Sequence, residues 1–389
     1  MHNQTVARLR PFGATIFAEM SALAIAHDAV NLGQGFPDTD GPASMLGAAR
    51  EAINAGDNQY PPGIGVPRLR HAVAAHQRDH YGLDYDPNTE VLITVGATEA
   101  IAGAIVGLCE PGREVVMIEP YYDSYAATVA MAGGVRRTVP LIADGDGFRL
   151  DRDALSAAFT AETALVLLNS PHNPTGTVLS DDDLAEVARL CIAHDVIAVT
   201  DEVYEHLLFD GRRHTPLATL PGMRDRTLRI SSAAKTFNCT GWKVGWISGP
   251  PELVAAARAA KQFMSYVGSG PFQPAVASAL ESEMDWVSAS AASLQAARDL
   301  LSDALRDAGF GVYRSEATYF VCADPRPLGY HDGEQFCRML PERIGVAAVP
   351  VSVFADNKNP WRHMVRFAFS KREEVIVEAA ARLRRLSAD

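Results

Sequence analysis

From about residue 90 the chain alternates short runs of β-branched and aliphatic residues with amphipathic helical stretches, a rhythm that commits it to a mostly parallel sheet covered by helices. Residues 91–95, 114–118, 164–168, 196–200, 227–230 and 245–248 read as strands, each bounded by Gly, Pro or Ser. Ser180, followed by Asp181, Asp182 and Asp183, reads as an N-cap with an acidic first turn and opens a helix to about residue 193. Beyond an Ala-rich stretch at 275–310 the pattern changes. Strand signals at 319–322, 346–349 and 363–369 alternate with fewer helices, and residues 371–386 carry an apolar stripe of Val375, Val377, Ala380, Leu383 and Leu386. The expected architecture is α/β: a large domain over 45–285 with a mostly parallel central sheet sandwiched by helices, and a smaller α+β domain built from 1–44 and 286–389.

Composition narrows the function classes. With 389 residues, 48% of them apolar, the chain can bury a large core. A formal charge of −12 argues against sequence-independent nucleic-acid binding and against an anionic-membrane surface, both of which need concentrated positive charge. Small-molecule partners fit better. The five cysteines are scattered without metal-ligand spacing, so neither a disulfide framework nor a metal site is expected from them, and a reducing cytoplasm is the natural compartment. No apolar run approaches the ~20 residues that span a bilayer, and no signal pattern opens the chain.

The most informative stretch is Ser231-Ser232-Ala233-Ala234-Lys235-Thr236-Phe237-Asn238-Cys239-Thr240-Gly241-Trp242-Lys243-Val244-Gly245, directly after a strand. A lysine among small residues leaves room for a bulky group on its amine and can react with an aldehyde cofactor; the plain alternative is a surface lysine in a small-residue loop. Thirty-four residues earlier, Val199-Thr200-Asp201-Glu202-Val203-Tyr204 puts an acid at the carboxyl end of a buried strand, where α/β sheets site their ligands, although an acidic N-cap would look alike. Thr94-Val95-Gly96-Ala97-Thr98-Glu99-Ala100 runs from a strand through glycine into a helix, offering free N–H groups to an anion. Ser170-Pro171-His172-Asn173-Pro174-Thr175-Gly176 follows another strand as a rigid turn, and Glu119-Pro120-Tyr121-Tyr122 another. In Val365-Arg366-Phe367-Ala368-Phe369 a lone arginine sits among apolar residues, where an unpaired guanidinium is costly; an internal salt bridge or an anionic ligand must meet it.

In this order, together with Asn31-Leu32-Gly33-Gln34-Gly35-Phe36-Pro37 and Asn58-Gln59-Tyr60-Pro61-Pro62-Gly63, these segments resemble the fold-type I pyridoxal 5'-phosphate aminotransferases, in particular the kynurenine and methionine aminotransferase-like branch. The resemblance implies that Lys235 carries the cofactor and afterwards moves a proton. It implies that Asp201 faces the pyridine nitrogen, that Tyr204 and Asn173 reach the phenolic oxygen, and that Tyr122 stacks on the ring. Gly96, Ala97, Thr98, Ser232 and Lys243 would hold the phosphate, and Arg366, Asn173 and Gly35 would meet the substrate. Tyr60 would reach the phosphate of a neighbouring subunit, making the chain a homodimer with its active sites at the interface. Lys243 stands where the broader signature has arginine, as is typical of the branch, and grips a phosphate as a point charge. His172 occupies a variable position of the motif and reads as structural, as do Glu202 and Glu205.

The likeness runs furthest with bacterial N-succinyldiaminopimelate aminotransferases, through the lysine loop and Asp324-Pro325-Arg326-Pro327-Leu328-Gly329-Tyr330. It implies N-succinyl-LL-diaminopimelate as amino donor and 2-oxoglutarate as acceptor, in lysine synthesis. A broad-specificity kynurenine, methionine or glutamine aminotransferase, or a cysteine-conjugate β-lyase on the same fold, would share the same lysine, aspartate and arginine. A transcription regulator with an aminotransferase-like body would need a DNA-binding region for which the chain has no room.

Overall fold

The computed structural model describes residues 5–13 and 15–388; residues 1–4, 14 and 389, which belong to the expected small domain, lie outside them. Strand β1 (Val30–Asn31) precedes the central sheet. That sheet takes in β2 (Val91–Val95), β3 (Glu114–Glu119), β4 (Val135–Asp144), β5 (Gly147–Leu150), β6 (Thr163–Asn169), β7 (Ile197–Asp201), β8 (Thr227–Ser232) and β9 (Val244–Ser248). Its order is β2-β9-β8-β7-β6-β3-β4-β5. Neighbours are parallel except that β9 runs against both β2 and β8, and β5 against β4.

Side-chain alternation on these strands shows why they read as apolar throughout. On β3 and β6, Val115, Met117, Leu165 and Leu167 pack on one face against Ile101, Ile105 and Val129. Val116, Ile118, Val166 and Leu168 pack on the other against Leu184, Val187 and Cys191. A sheet covered on both faces needs apolar residues at every position, since period two leaves none for solvent.

A second sheet, in the order β10-β11-β14-β13, is formed by β10 (Gly311–Val312), β11 (Phe320–Asp324), β13 (Val349–Pro350) and β14 (Val365–Ala368), all antiparallel; β12 (Val346–Ala347) pairs instead with β1. The expected strand at 346–349 is therefore two short ones serving different sheets. The helices Met284–Asp307 and Glu373–Leu383 cover this sheet through Leu301, Leu305, Ile376 and Leu383. Val377, placed in the apolar stripe by sequence, is 50% exposed; Ile376 turns inward in its place, because it lies three and four residues before Ala379 and Ala380 on the buried face that continues to Leu383. The Ser180 cap is a full capping box with Asp183, opening the helix Asp181–His194. The hairpin β4–β5 has no counterpart in the sequence reading. No helix among the described residues is long and apolar enough to cross a membrane.

Candidate active site

The carboxyl ends of β2, β3, β6, β7 and β8 open toward one cavity of about 310 Å³. It is lined by Gly35, Gly96, Ala97, Thr98, Tyr122, Asn173, Asp201, Tyr204, Ser232, Lys235, Lys243 and Arg366. Residues read from separate motifs up to 331 positions apart (Gly35 and Arg366) thus meet at a single place.

At one end lies a cationic, N–H-rich cradle. Gly96, with φ of 71°, turns β2 into the helix Gly96–Leu108, whose first N–H groups have no partner within the helix. A Cβ at Gly96 would stand 3.4 Å from the Lys243 ammonium, and one at Gly245 only 2.6 Å from the Gly96 carbonyl carbon. Gly245 therefore lets β9 press Lys243 against the turn. Among the described residues no carboxylate pairs with Lys243, so a positive charge and a helix N-terminus converge there, as an anion site requires.

At the floor, Asp201 ends β7 and is buried. One of its oxygens accepts from the Tyr125 hydroxyl at 2.5 Å and the other from Val203 N at 3.3 Å. Burial pushes this carboxyl up to about 6, against the pull of the Tyr125 bond, the Val203 N–H and the nearby Lys235 charge. Asn169, at the end of β6, donates to the carbonyls of Pro171 and Asp201 and accepts from Asn173 N at 2.8 Å, so it fixes the Asn173 turn to the strand edge. His172 is buried, bonded through Nδ1 to Thr175 at 2.8 Å and absent from the cavity wall; burial lowers it to about 3. That is the structural histidine expected.

Lys235 lies on the short turn of helix after β8, and its Nζ donates to Tyr319 Oη at 2.5 Å. The Tyr319 hydroxyl in turn donates to Gly35 O at 2.6 Å. Thr318, just before it, has φ of 72°, a conformation a β-branched residue rarely takes; its N–H bonds Leu207 O at 2.8 Å and its hydroxyl accepts from Phe320 N at 3.1 Å. Gly35 has little space: a Cβ there would fall 2.6 Å from the Phe320 ring. Its backbone is thus approached by Phe320 and Tyr319 themselves.

Arg366 crosses from the small sheet. It is 1% exposed, donates to Asn173 Oδ1 at 3.0 Å and Gly33 O at 3.2 Å, and lies 3.9 Å over the Phe320 ring. Its Nε has no partner, and among the described residues no carboxylate pairs with it, so the salt-bridge reading finds no support. Burial lowers it to about 10, which leaves it charged at neutral pH. Phe17, Gln34, Tyr125, Asn169, Phe320 and Tyr319 are contributors that the sequence reading did not single out; nothing in a lone tyrosine before a strand distinguishes it from core. Tyr60 stands apart: it is 82% exposed, 5.7 Å from the Tyr266 ring and outside this cavity, with Phe263, 90% exposed, three residues before Tyr266.

The description "Aminotransferase class I and II" fits residues 27–383 as a family model. The chain belongs to that family. Its fold is accordingly the fold-type I architecture of these pyridoxal-phosphate-dependent transaminases. Among curated relatives of this aminotransferase is a "Probable N-succinyldiaminopimelate aminotransferase DapC" from Mycobacterium tuberculosis, 59% identical over 387 residues, which cover 97% of this chain and 98% of the relative. A methionine aminotransferase from Escherichia coli is 37% identical, with 97% of each chain covered. A solved structure of the M. tuberculosis N-succinyldiaminopimelate aminotransferase superposes with a TM-score of 0.97 at 60% identity, over 98% of this aminotransferase and all of that chain.

Proposed function

We propose that this aminotransferase takes its amino group from N-succinyl-LL-diaminopimelate and passes it to 2-oxoglutarate, in lysine synthesis in the cytoplasm. The M. tuberculosis relative at 59% identity supports that substrate. The observation that carries the transfer chemistry is Arg366: a buried guanidinium that, among the described residues, has an unpartnered Nε and no paired carboxylate, facing the cavity that also holds Lys235 and Asp201. An α-amino acid is the anion that suits it, through a bidentate pair at its carboxylate.

The residues fit pyridoxal 5'-phosphate. The Gly96, Ala97 and Thr98 turn with Ser232 and Lys243 would hold the phosphate, Asp201 would face the pyridine nitrogen, Tyr204 and Asn173 the phenolic oxygen, and Tyr122 the ring face. When bound, the cofactor supplies an electron sink for the pair left as the substrate Cα loses its proton. Asp201 is already buried beside a hydrogen-bond donor, so a protonated ring nitrogen would give its costly charge a partner. Lys235 would hold the cofactor through its amine and, with that amine free, would take the Cα proton; the Tyr319 hydroxyl lies 2.5 Å from the same amine and would position it. Phe17, Phe320 and Phe354 surround the Arg366 guanidinium at 5.4, 3.9 and 5.2 Å and keep water from it.

In this reading residues 45–285 form the cofactor domain, and 1–44 with 286–389 the small domain. Two chains pair so that Tyr60 of each reaches the other's phosphate; the exposed rings of Tyr60, Phe263 and Tyr266 support such a face. The test is to mix holoenzyme separately with N-succinyl-LL-diaminopimelate, kynurenine, methionine and glutamate and follow the lysine-linked cofactor band, then add 2-oxoglutarate. Fastest cycling with the succinylated donor is expected. Faster cycling with kynurenine or methionine refutes the substrate, and pyruvate from a cysteine conjugate without any 2-oxo acid would point to a lyase instead.

A further inference from the structure

Past Tyr204 the chain continues into Glu205 and His206, which meet His76 on the helix Pro67–Tyr81, where Gln77 in turn bonds His76. None of these four lines the active-site cavity. His76 Nε2 and His206 Nε2 point at one another across 2.7 Å, and with a Glu205 carboxylate oxygen they place three ligand atoms within 4.8 Å. His76 is 5% and Glu205 2% exposed.

Two imidazole nitrogens and a carboxylate converging in a buried place is a donor set that a borderline divalent ion prefers. The charge nearby agrees. Arg229 is matched to Glu202 through Nε at 2.9 Å and a closer Nη2 contact, with His214 adding a 2.7 Å bond to the same carboxylate. Glu205 lies 3.4 Å from Arg229 Nη2 and accepts from Ser231 Oγ at 2.5 Å, with Tyr81 as a further donor. Two carboxylates thus share one guanidinium, leaving a negative charge in excess at Glu205. A carboxylate offers about four lone-pair positions, so its three donors leave room for an ion. A divalent ion whose open position holds hydroxide adds one positive charge and cancels that excess.

Gln77 supplies the outer contact. Its Nε2 lies 3.1 Å from His76 Nδ1 and donates to it, and among the described residues its buried Oε1 has no partner. With the amide turned over, its Oε1 would instead accept the Nδ1 proton and fix the tautomer whose Nε2 lone pair faces the site, as outer partners of metal-bound histidines do; ion binding requires that turn. With metal–nitrogen bonds of about 2.0–2.1 Å in tetrahedral geometry the two nitrogens would stand ~3.3 Å apart, so the rings need part by only about half an ångström.

We propose that His76, His206 and Glu205 form a site for a divalent transition ion of the zinc class. The ion would tie the helix Pro67–Tyr81 to the segment that carries Asp201 and Tyr204, and would take no part in amino transfer. The test uses untagged holoenzyme, stripped with a chelator and dialysed against Zn²⁺ or Co²⁺. Expected are about one ion per chain, a visible Co²⁺ spectrum of low-coordinate nitrogen–oxygen ligation, and a raised melting temperature with metal present. His206→Asn and His76→Gln should each reduce uptake below about a tenth of an ion per chain, and Gln77→Leu should weaken binding by roughly 10- to 100-fold, with circular dichroism and cofactor content showing that each variant folds. Wild-type protein that takes up less than about a tenth of an ion per chain, or gives no such Co²⁺ spectrum, overturns the proposal. So does uptake that survives both histidine substitutions.

Discussion

Asp201→Asn should separate what this carboxylate does for folding from what it does for chemistry. In the cofactor-free protein, burial raises Asp201 from 3.8 to about 6. A carboxyl with its folded pKa raised gives up stability as pH rises: the contribution is intact below 3.8 and lost by the time pH has passed about 6. The difference of 2.2 units, 6 − 3.8, corresponds to about 3 kcal/mol at 1.36 kcal/mol per unit. The amide substitution escapes this penalty while keeping the shape beside Tyr125. Integrating the linkage, the advantage of the variant should be about 2 kcal/mol at pH 5 and about 3 kcal/mol at pH 7.5, so the gap widens by about 1 kcal/mol. Urea denaturation of the cofactor-stripped pair at the two pH values measures this directly. Turnover of the loaded variant should meanwhile fall by orders of magnitude, because a neutral partner holds the ring nitrogen's proton poorly. A gap that stays flat with pH would refute the buried-charge argument, and near-normal turnover would refute the electron-sink assignment.

Arg366→Lys loses one of two charge-assisted bonds to the substrate carboxylate, about 1.5–3 kcal/mol, so kcat/KM should fall roughly 10- to 150-fold for every amino donor alike, chiefly through KM; a loss confined to one donor would contradict a common α-carboxylate role. Tyr319→Phe removes the hydroxyl that joins Lys235 to Gly35 O and should lower kcat about 2- to 13-fold and shift its pH profile, with cofactor content unchanged. Lys235→Ala should fold but show no lysine-linked absorption band and no turnover; an unchanged spectrum would remove it from its role. Gly245→Ala drives a Cβ to within 2.6 Å of the Gly96 backbone and should weaken cofactor retention on gel filtration at least tenfold, about 1.4 kcal/mol.

Much of this molecule is legible in the sequence for a physical reason. Strands such as β2, β3 and β6 are buried on both faces, so each shows as an uninterrupted apolar run, and the turns at their carboxyl ends carry Gly, Pro and Asn that their geometry demands. The hairpin strand β4 is not legible because its first positions alternate exposed and half-buried residues, Arg136 and Arg137 among them, and Pro140 follows at its middle, a pattern that reads as loop. Tyr319 and Tyr125 were missed because their importance lies in what their hydroxyls reach, Lys235 and Asp201, across 84 and 76 residues. His76 and His206 are 130 residues apart, and no local spacing announces their meeting. In the closing helix Val377 and Ile376 are both β-branched and adjacent, and the three- and four-residue spacing back from Ala379, Ala380 and Leu383 turns Ile376 inward.

The division of labour between the two sheets bears on how such an enzyme changes its diet. The cradle at Gly96, Asp201, Ser232 and Lys243 belongs wholly to the eight-stranded sheet and its turns, whereas Arg366 and Phe320 belong to the four-stranded one. The two are stitched at the site by Lys235 to Tyr319 and by Arg366 to Asn173. On the proposed assignment, substitutions around the smaller sheet would re-shape the room next to Arg366 while leaving the anion cradle on the larger sheet in place. Laboratory evolution of new donors is best aimed there, with those two stitches left in place.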